Sequence, residues 1–167
     1  MDSTELKALQ APLKARYRDD PDAALVTLSA SGALDGASVA CTVATGRALV
    51  EAGLHPASGG TGTLACSGDM LLQALAACAG VTLRAVATSL GLDVAGTVHA
   101  EGDLDFRGTL GVSKDEGVPV GFRSIRLRFE LEHQASDEEI ATLLRLTERY
   151  CVVYRTLVDG VPIDVTY

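Results

Sequence analysis

The chain is poor in aromatic residues: its 167 residues include no Trp, four Tyr and three Phe. Hydrophobic residues nevertheless make up 47% of the sequence, so the core must consist mainly of Leu, Val and Ala. Such side chains let backbones approach closely, but each buries little apolar area. The length fits one domain or one intertwined subunit, and the composition predicts a subunit that buries further surface against a second copy.

Positive charge is also scarce, with 14 Lys and Arg against 22 Asp and Glu and a formal net charge of −8. Binding to nucleic acid favours a basic stripe that can neutralise phosphates. The basic cluster at residues 14–18 is followed at once by acids at residues 19–22, a pattern typical of a solvated helix face. We therefore expect no nucleic-acid partner.

The sequence shows no targeting or membrane signal. It opens with "MDSTELKALQ", which is polar and acidic where a secretory leader would be cationic and then apolar. The longest apolar stretch is interrupted by Thr82 and Arg84, unlike a membrane span. We expect a cytoplasmic protein without a membrane partner. In that reducing compartment, persistent cysteine pairs are usually catalytic or redox-sensing, and the chain has four cysteines, Cys41, Cys66, Cys78 and Cys151.

Metal and cofactor signatures are missing as well. The cysteines and His55, His99 and His133 have neither CxxC nor HxxxH spacing, so they match no zinc pattern. The loop "HPASGGTGTLACSGD" at residues 55–69 contains "GGTG", but it lacks the lysine of a phosphate-binding loop and the glycine pattern of a dinucleotide site. We predict neither a metal nor a cofactor, although a loop in this position often carries function.

Helical periodicity is present in three segments. The first, residues 4–18, contains Pro12, which predicts a kink or a break. The second, residues 67–90, is apolar nearly all round and is predicted to be a central helix buried on most sides. The third opens with the capping box "SDEE" at Ser136–Glu139 and is expected to end near Tyr150–Val153.

Strands are predicted from alternating polarity and flanking turn residues. The predicted strands cover residues 25–30, 39–44, 48–54, 94–106, 125–131 and 162–167. Glycine-rich segments at residues 31–38 and 107–120 are predicted as connections. Short antiparallel strands precede the long helix, and more strands, an amphipathic helix and a last strand follow it. This order predicts an α+β fold and not a βαβ alternation.

Two short blocks carry a resemblance to a known family. They are "SGDMLLQALAACAGVTLRAVA" and "ERYCVVYRTL", and each places a cysteine on a helix after small or apolar residues. Together they resemble the osmotically inducible protein C and organic hydroperoxide resistance family (OsmC/Ohr). That family has one cysteine within a long apolar helix, in "LLxALAAC-G" style, and a second near the end of a later helix, in "CPV…TL" style. The two cysteines correspond to Cys78 and Cys151, and the element order matches from about residue 23 onward.

The resemblance implies a fold, an activity and partners. The fold would be a single OsmC-like domain over residues 1–167 with an N-terminal helical extension at about residues 1–20. Its antiparallel β-sheet would wrap around the long buried central helix in an intertwined homodimer. The activity would be thiol-dependent reduction of organic hydroperoxides in an antioxidant stress response, with Cys78 as the peroxidatic thiolate and Cys151 as the resolving thiol. A dithiol reductant of lipoyl or thioredoxin type would restore the pair.

A buried thiol needs a cation or hydrogen-bond donors to ionise at neutral pH. The family uses an arginine from an early hairpin, oriented by a carboxylate near the start of the central helix. The first hairpin here has no arginine, so Arg47 in "TGR" is the candidate cation and Asp69 the candidate carboxylate. Nine residues separate Asp69 from Cys78, half a turn out of phase on an ideal helix, so Asp69 would have to act through an intermediary such as arginine.

Simpler interpretations stay open. Cys78 also fits a small core residue, Arg47 a solvated turn residue, and Asp69 a carboxylate that favours the helix dipole. Cys66 is a bystander thiol or an alternative resolving partner. A rival function is an OsmC-fold binding protein that holds a small apolar ligand at the dimer interface, and a third is a metal-binding or structural dimer. The rival predicts cysteine sulfurs too far apart to bridge and no guanidinium near Cys78, whereas the enzyme predicts sulfurs close enough for a disulfide.

Overall fold

The computed structural model of the chain describes residues 3–34, 41–43, 52–112 and 117–167. Within these segments the helices are α1 (Ser3–Asp19), α2 (Ser67–Leu90), α3 (Phe106–Thr109), α4 (Asp137–Tyr150) and α5 (Val152–Asp159). The strands are β1 (Leu25–Leu34), β2 (Cys41–Val43), β3 (Val94–Asp105) and β4 (Phe122–His133). Short 3-10 turns lie at Pro21–Ala24 and Pro56–Ser58. The mixture and order of elements confirm the predicted α+β class.

The strands form a sheet in the order β2-β1-β3-β4. β1 and β2 pair antiparallel. β3 and β4 also run antiparallel, because Gly96 lies against Glu130 whereas Gly102, further along β3, lies against Phe122. Gly96 has φ +141°, and a Cβ built on it would stand 2.0 Å from the Glu130 carbonyl oxygen. Only glycine combines this backbone conformation with so close an approach.

The chain divides into two compact units, of which the first comprises Met1–Ser29, Thr45–Leu72 and Glu101–Arg126. Its core is formed by Tyr17, Ala24, Phe106, Leu110 and Val112. The hydroxyl of the buried Tyr17 donates to the carbonyl oxygen of Ala57 over 2.7 Å, and burial raises the pKa of this tyrosine. Helix α1 is thereby tied to the turn that precedes α2 in the sequence.

The first unit also holds a buried carboxylate, that of Asp105 at the end of β3. Its side chain is 1% exposed and caps α3 by accepting the Arg107 backbone N–H over 3.1 Å. The Arg107 guanidinium donates to both carboxylate oxygens, and Arg123 approaches to 3.9 Å. Chiefly because of the hydrogen bond from Arg107, the pKa of Asp105 lies below its usual value.

The second unit comprises Ala30–Ala44, Gln73–Ala100 and Leu127–Tyr167. In it, α2 packs on β3 and α4 through Leu83, Ala87, Val94 and Leu143. A neighbouring cluster joins Ala79, Val98 and Cys151. Phe129 packs against both clusters. The cysteine is therefore part of a closely packed region between helices and sheet.

Helix α2 is long and apolar enough to cross a membrane by length and composition. Core helices of water-soluble proteins meet the same criterion, and 44% of the most apolar window of α2 is buried within this one chain. Exposed apolar side chains remain on the helix at Met70, Val81 and Leu90.

Several helices and strands begin or end at residues other than those predicted from the sequence. Helix α1 runs through Pro12 without ending, which a proline permits when flanking packing compensates for the lost hydrogen bond. Strand β1 continues to Leu34 through part of the predicted connection at residues 31–38, because pairing with β2 extends it. The predicted strand at residues 48–54 falls mostly outside the described residues, and Gly53 and Leu54 are not in a strand.

The predicted last strand at residues 162–167 is wrong for the single chain, since this segment has no regular structure. A strand exists only with a hydrogen-bonding neighbour, and none of the described strands pairs with it. Helix α5 was not predicted, because Val152 and Val153 are β-branched and favour strands. An ion pair between Arg155 and Asp159, four residues apart, supports this helix.

Candidate active site

Two of the predicted site residues, Cys78 and Cys151, lie together in the second unit. Cys78 is half-buried on α2 and packs against the cluster that contains Cys151. Cys151 is 1% exposed and sits at the junction of two helices, where it ends α4 and caps α5. Both cysteines and the half-buried Cys66 are free thiols. The site described here is therefore the reduced form of the pair.

The Cys78 sulfur is held by a set of hydrogen-bond donors. Burial alone would raise the pKa of Cys78. The backbone N–H groups of Val153 and Val152, the thiol of Cys151 and the hydroxyl of Thr82 donate to the sulfur and outweigh this effect. The net pKa of Cys78 is below its ordinary value, so the site favours a thiolate.

The Cys151 thiol is shifted in the opposite direction. Burial raises its pKa first, and the hydrogen bond to Cys78 and the Cys78 charge raise it further, to about 11. Backbone hydrogen bonds from Tyr154 and Val153 oppose this shift only in part. Cys151 therefore keeps its proton near neutral pH and donates it in a hydrogen bond toward Cys78. The two thiols of the pair therefore differ in acidity, and Cys78 is the more acidic of the two.

The donors to Cys78 come from two elements. Val152 and Val153 open α5, whose first N–H groups have no partner within the helix and carry the positive end of its dipole. Thr82 lies one turn after Cys78 on α2, where residues four apart are neighbours. The sequence shows a hydroxyl, that of Thr82, one helical turn from the candidate thiol, so this donor could have been predicted. The N–H donors could not be found without predicting α5.

An apolar groove lies beside this site in the same unit. It has a volume of about 600 Å³. Its lining includes Val81, Thr82, Ala85, Val86, Leu146 and Tyr150. Thr82 thus lines the groove and also binds the Cys78 sulfur, and Tyr150 directly precedes Cys151 in the chain. An apolar molecule in this groove would lie close to the thiol pair.

Of the two other predicted site residues, the structure describes Asp69. Arg47 lies outside the described residues. Asp69 is half-buried in the first turn of α2, nine residues before Cys78. Among the described residues no group of three or more His, Cys, Asp or Glu side chains is arranged to hold a metal.

Comparison with known proteins adds the family. The sequence profile of the family described as OsmC-like protein matches residues 60–166, well over half of the chain. No curated protein matches the chain. Among solved structures, the crystal structure of an OsmC-like hydroperoxide resistance protein from Jannaschia sp. CCS1, at 1.70 Å resolution, is similar with a TM-score of 0.54. The two are 16% identical over 84% of this chain and 91% of that one, so this likeness shows the fold alone. Because the family profile covers both cysteine blocks and the strands between them, the chain belongs to the OsmC-like protein family.

Proposed function

We propose that this protein is a thiol-dependent peroxidase that reduces organic hydroperoxides through Cys78 and Cys151. The observation that carries the proposal is the hydrogen-bonded contact of the two thiols, with the Cys78 pKa lowered and the Cys151 pKa raised. The similarity to a hydroperoxide resistance protein supports the same chemistry. Contact of the sulfurs also argues against the rival binding protein, which predicts thiols too far apart to bridge.

In the first step the Cys78 thiolate attacks the terminal oxygen of the hydroperoxide. An S–O bond forms, the O–O bond breaks, and the alkoxide takes up a proton to leave as an alcohol. The sulfur becomes a sulfenic acid, so the thiol is oxidised by two electrons and the hydroperoxide is reduced by two. The Cys151 thiol lies within reach to supply the proton.

In the second step the Cys151 sulfur attacks the sulfenic sulfur of Cys78. The S–S bond forms, the S–O bond breaks, and the hydroxide that leaves takes up a proton from solvent to become water. Resolution by a neighbouring thiol protects Cys78 from further oxidation. A dithiol reductant of lipoyl or thioredoxin type then reduces the disulfide by thiol–disulfide exchange and becomes a disulfide itself.

In this proposal, the start of α5 is the main feature that stabilises the Cys78 thiolate. The N–H groups of Val152 and Val153 donate to the sulfur directly. Hydrogen bonds to a charged group are stronger than neutral ones, so they stabilise the thiolate more than the thiol. Arg47, oriented by Asp69, is proposed as an additional cation.

The groove beside the thiols is proposed to hold the organic part of the substrate. Its walls are mainly apolar, which suits a lipophilic hydroperoxide and disfavours hydrogen peroxide. A homodimer is part of the proposal, because exposed apolar residues such as Val81 and Leu90 on α2 call for a cover. We place the enzyme in the cytoplasm, where dithiol reductants are kept reduced.

The test is consumption of cumene hydroperoxide with dithiothreitol, followed by intact mass. We expect turnover by the wild type and none by Cys78→Ser. Cys151→Ser, mixed with the hydroperoxide in the absence of dithiothreitol, should react once and leave Cys78 with one added oxygen. Cys66→Ser is the matched control, since this half-buried thiol is not among the groups that bind the Cys78 sulfur, and it should keep the wild-type rate. Turnover that survives in Cys78→Ser would overturn the proposal.

A second candidate function is a binding protein, which the apolar groove favours. It predicts that the wild type consumes no hydroperoxide and that its thiols stay reduced when the peroxide is in excess. A hydrophobic fluorescent probe would then bind to the groove. Tyr150→Ala should weaken that binding, whereas Cys78→Ser should leave it unchanged.

A further inference from the structure

A second pocket lies in the first unit, where β1 and β4 flank β3. Its volume is about 440 Å³, within the range of sites that bind small molecules. Leu25 and Val26 of β1 form an apolar wall, and the remaining lining residues are polar: Thr27, Asp103, Arg123 and Ser124. All of these residues belong to the first unit, whereas the thiol pair lies in the second. The pocket is therefore distinct from the groove beside the thiols.

The carboxylate of Asp103 holds two hydroxyl groups in place at this pocket. Thr27 Oγ1 donates to one carboxylate oxygen over 2.6 Å, and Ser124 Oγ donates to the other over 2.8 Å. The Arg126 guanidinium donates to both oxygens, and chiefly for this reason the pKa of Asp103 lies well below its usual value. The lone pairs of the charged carboxylate are therefore occupied by protein donors, so Asp103 orients the hydroxyls and is not itself open to a ligand.

The two hydroxyl oxygens meet a ligand as hydrogen-bond acceptors. A hydroxyl group has one proton and two lone pairs. Thr27 and Ser124 both give their proton to Asp103, and a long contact of 3.4 Å from Arg126 occupies at most one lone pair of Ser124. Acceptor capacity therefore remains on both oxygens. A ligand group that meets them has to be a donor, such as a hydroxyl or an ammonium group.

Arg123 supplies the opposite function, because a guanidinium has donors only. Its side chain lines the pocket and is 49% exposed. The Asp105 carboxylate that it approaches is 3.9 Å away, longer than a hydrogen bond, and that carboxylate is held by Arg107. This contact leaves the N–H groups of Arg123 available to a ligand. Their fork matches the two oxygens of a carboxylate.

We propose that this pocket binds a small carboxylic acid that carries a hydroxyl or amino group beside its carboxylate and an apolar side chain. The carboxylate pairs with Arg123, and the neighbouring hydroxyl or ammonium group donates to Thr27 and Ser124. Arg123 and Ser124 are consecutive in β4 and both line the pocket, so the two ligand groups lie close together, as they do in an α-hydroxy acid or an amino acid. The apolar side chain lies against Leu25 and Val26. The site is independent of the peroxidase chemistry proposed above.

Four probes with one carbon skeleton test this pattern of donors and acceptors: leucine, its hydroxy analogue leucic acid, isocaproate and leucinamide. Each is titrated into the full chain at neutral pH, and the backbone amide chemical shifts of the pocket residues are followed. We expect leucine or leucic acid to bind with a Kd on the order of 1 mM, and the tighter of the two identifies the donor. Isocaproate lacks the donor and leucinamide lacks the carboxylate, so the Kd of each should be at least about 10-fold higher. Shifts that are absent with both leucine and leucic acid, or equal affinities for all four probes, would overturn the proposal.

A matched pair of substitutions tests the arginine. Arg123→Gln removes the charged fork from the pocket, whereas Arg128→Gln removes an exposed arginine of the same strand that pairs with Glu130. We expect the Kd of leucine or leucic acid to rise at least about 10-fold for Arg123→Gln and to stay unchanged for Arg128→Gln. Equal effects of the two changes, or no effect of Arg123→Gln, would contradict the proposal, because Arg123 would then not hold the carboxylate.

Ser124→Ala tests the donor contact, because it removes one acceptor and leaves Arg123 in place. It should reduce the advantage of the donor-carrying probe over isocaproate by about 3-fold and leave the Kd of isocaproate itself unchanged. An unchanged advantage would refute the proposed contact, since the donor would then bind elsewhere. All of these readouts measure binding, so they do not depend on hydroperoxide turnover.

Discussion

Asp105 in the first unit and Cys78 in the second are two acids whose charged forms are stabilised by similar means. Each accepts backbone N–H at the start of a helix, α3 for Asp105 and α5 for Cys78, and each has a lowered pKa. They differ in their other partners. Asp105 is clamped by the guanidinium of Arg107 and approached by that of Arg123, whereas the side chains that donate to Cys78 are a thiol and a hydroxyl.

This difference fits the structural role that we assign to Asp105 and the reactive role that we propose for Cys78. A carboxylate paired with guanidinium has its charge compensated and its lone pairs occupied. A thiolate held by neutral donors stays charged and keeps sulfur lone pairs for attack, and it is only half-buried. The Asp105 arrangement therefore favours folding stability, and the Cys78 arrangement favours nucleophilicity.

The largest effect is expected from Asp105→Ala. This change leaves the Arg107 guanidinium without the Asp105 carboxylate and removes the cap of α3, each of which costs stability. We expect the free energy of unfolding to fall by about 2–4 kcal/mol, measured by urea denaturation. Asp103→Ala is the control: that carboxylate is bound by Thr27, Ser124 and Arg126 at the surface, and its loss should be much smaller. Equal losses would refute the structural role of Asp105.

The Asp105 carboxylate also makes the stability of the protein depend on pH in the acidic range. Because the folded pKa of Asp105 is lowered, its contribution to stability is present above the unfolded pKa of about 3.9 and is lost as pH falls through the folded value. The stability gap between wild type and Asp105→Asn should therefore be full at neutral pH and close in strong acid. A gap that stays constant with pH would mean that the charge of Asp105 does not contribute.

Val152→Pro tests the donors to the thiolate. Proline is tolerated at the first position of a helix, and Cys151 before it already has the extended conformation that proline requires. The change removes one N–H donor, so the Cys78 pKa should rise. Hydroperoxide turnover at neutral pH should then fall by roughly 10-fold, the low end for a hydrogen bond to a charged group.

The thiolate absorbance of Cys78 as a function of pH measures this shift, with Cys151→Ser as the background. Val153→Ala is the matched control, because it trims a side chain but keeps the N–H that donates to Cys78. Its titration should follow that of the unsubstituted chain. If proline leaves the titration unmoved, the start of α5 is not what activates the thiol.

A smaller effect is expected from Thr82→Val, which removes the hydroxyl and keeps the shape. The hydroxyl contributes less than the backbone donors to the lowered pKa of Cys78. We expect turnover to fall about 2-fold at neutral pH and to recover at higher pH, where the thiolate forms without help. Thr82→Ser, which keeps the donor, should restore the wild-type profile.

The sequence predicted most of the helices and both sulfur positions, for identifiable reasons. The central helix is marked by its uninterrupted small and apolar residues, and α4 by the capping box that the structure shows at Ser136 and Glu139. The donors from Val152 and Val153 could not be predicted, because β-branched residues mask α5. The family pattern has proline after the second cysteine, whereas this chain has Val152, which carries an additional N–H. The sequence alone does not show that this N–H donates to the Cys78 sulfur.

Finally, the packing around the cysteine pair depends on Gly96. Its missing side chain lets β3 approach Glu130 on β4, and the residue before Glu130 is Phe129. That ring packs both on the Leu83 cluster and on the cluster that holds Cys151. A single methyl group at position 96 would force the strands apart and shift the ring. The packing around Cys78 and Cys151 thus depends in part on a residue that has no side chain.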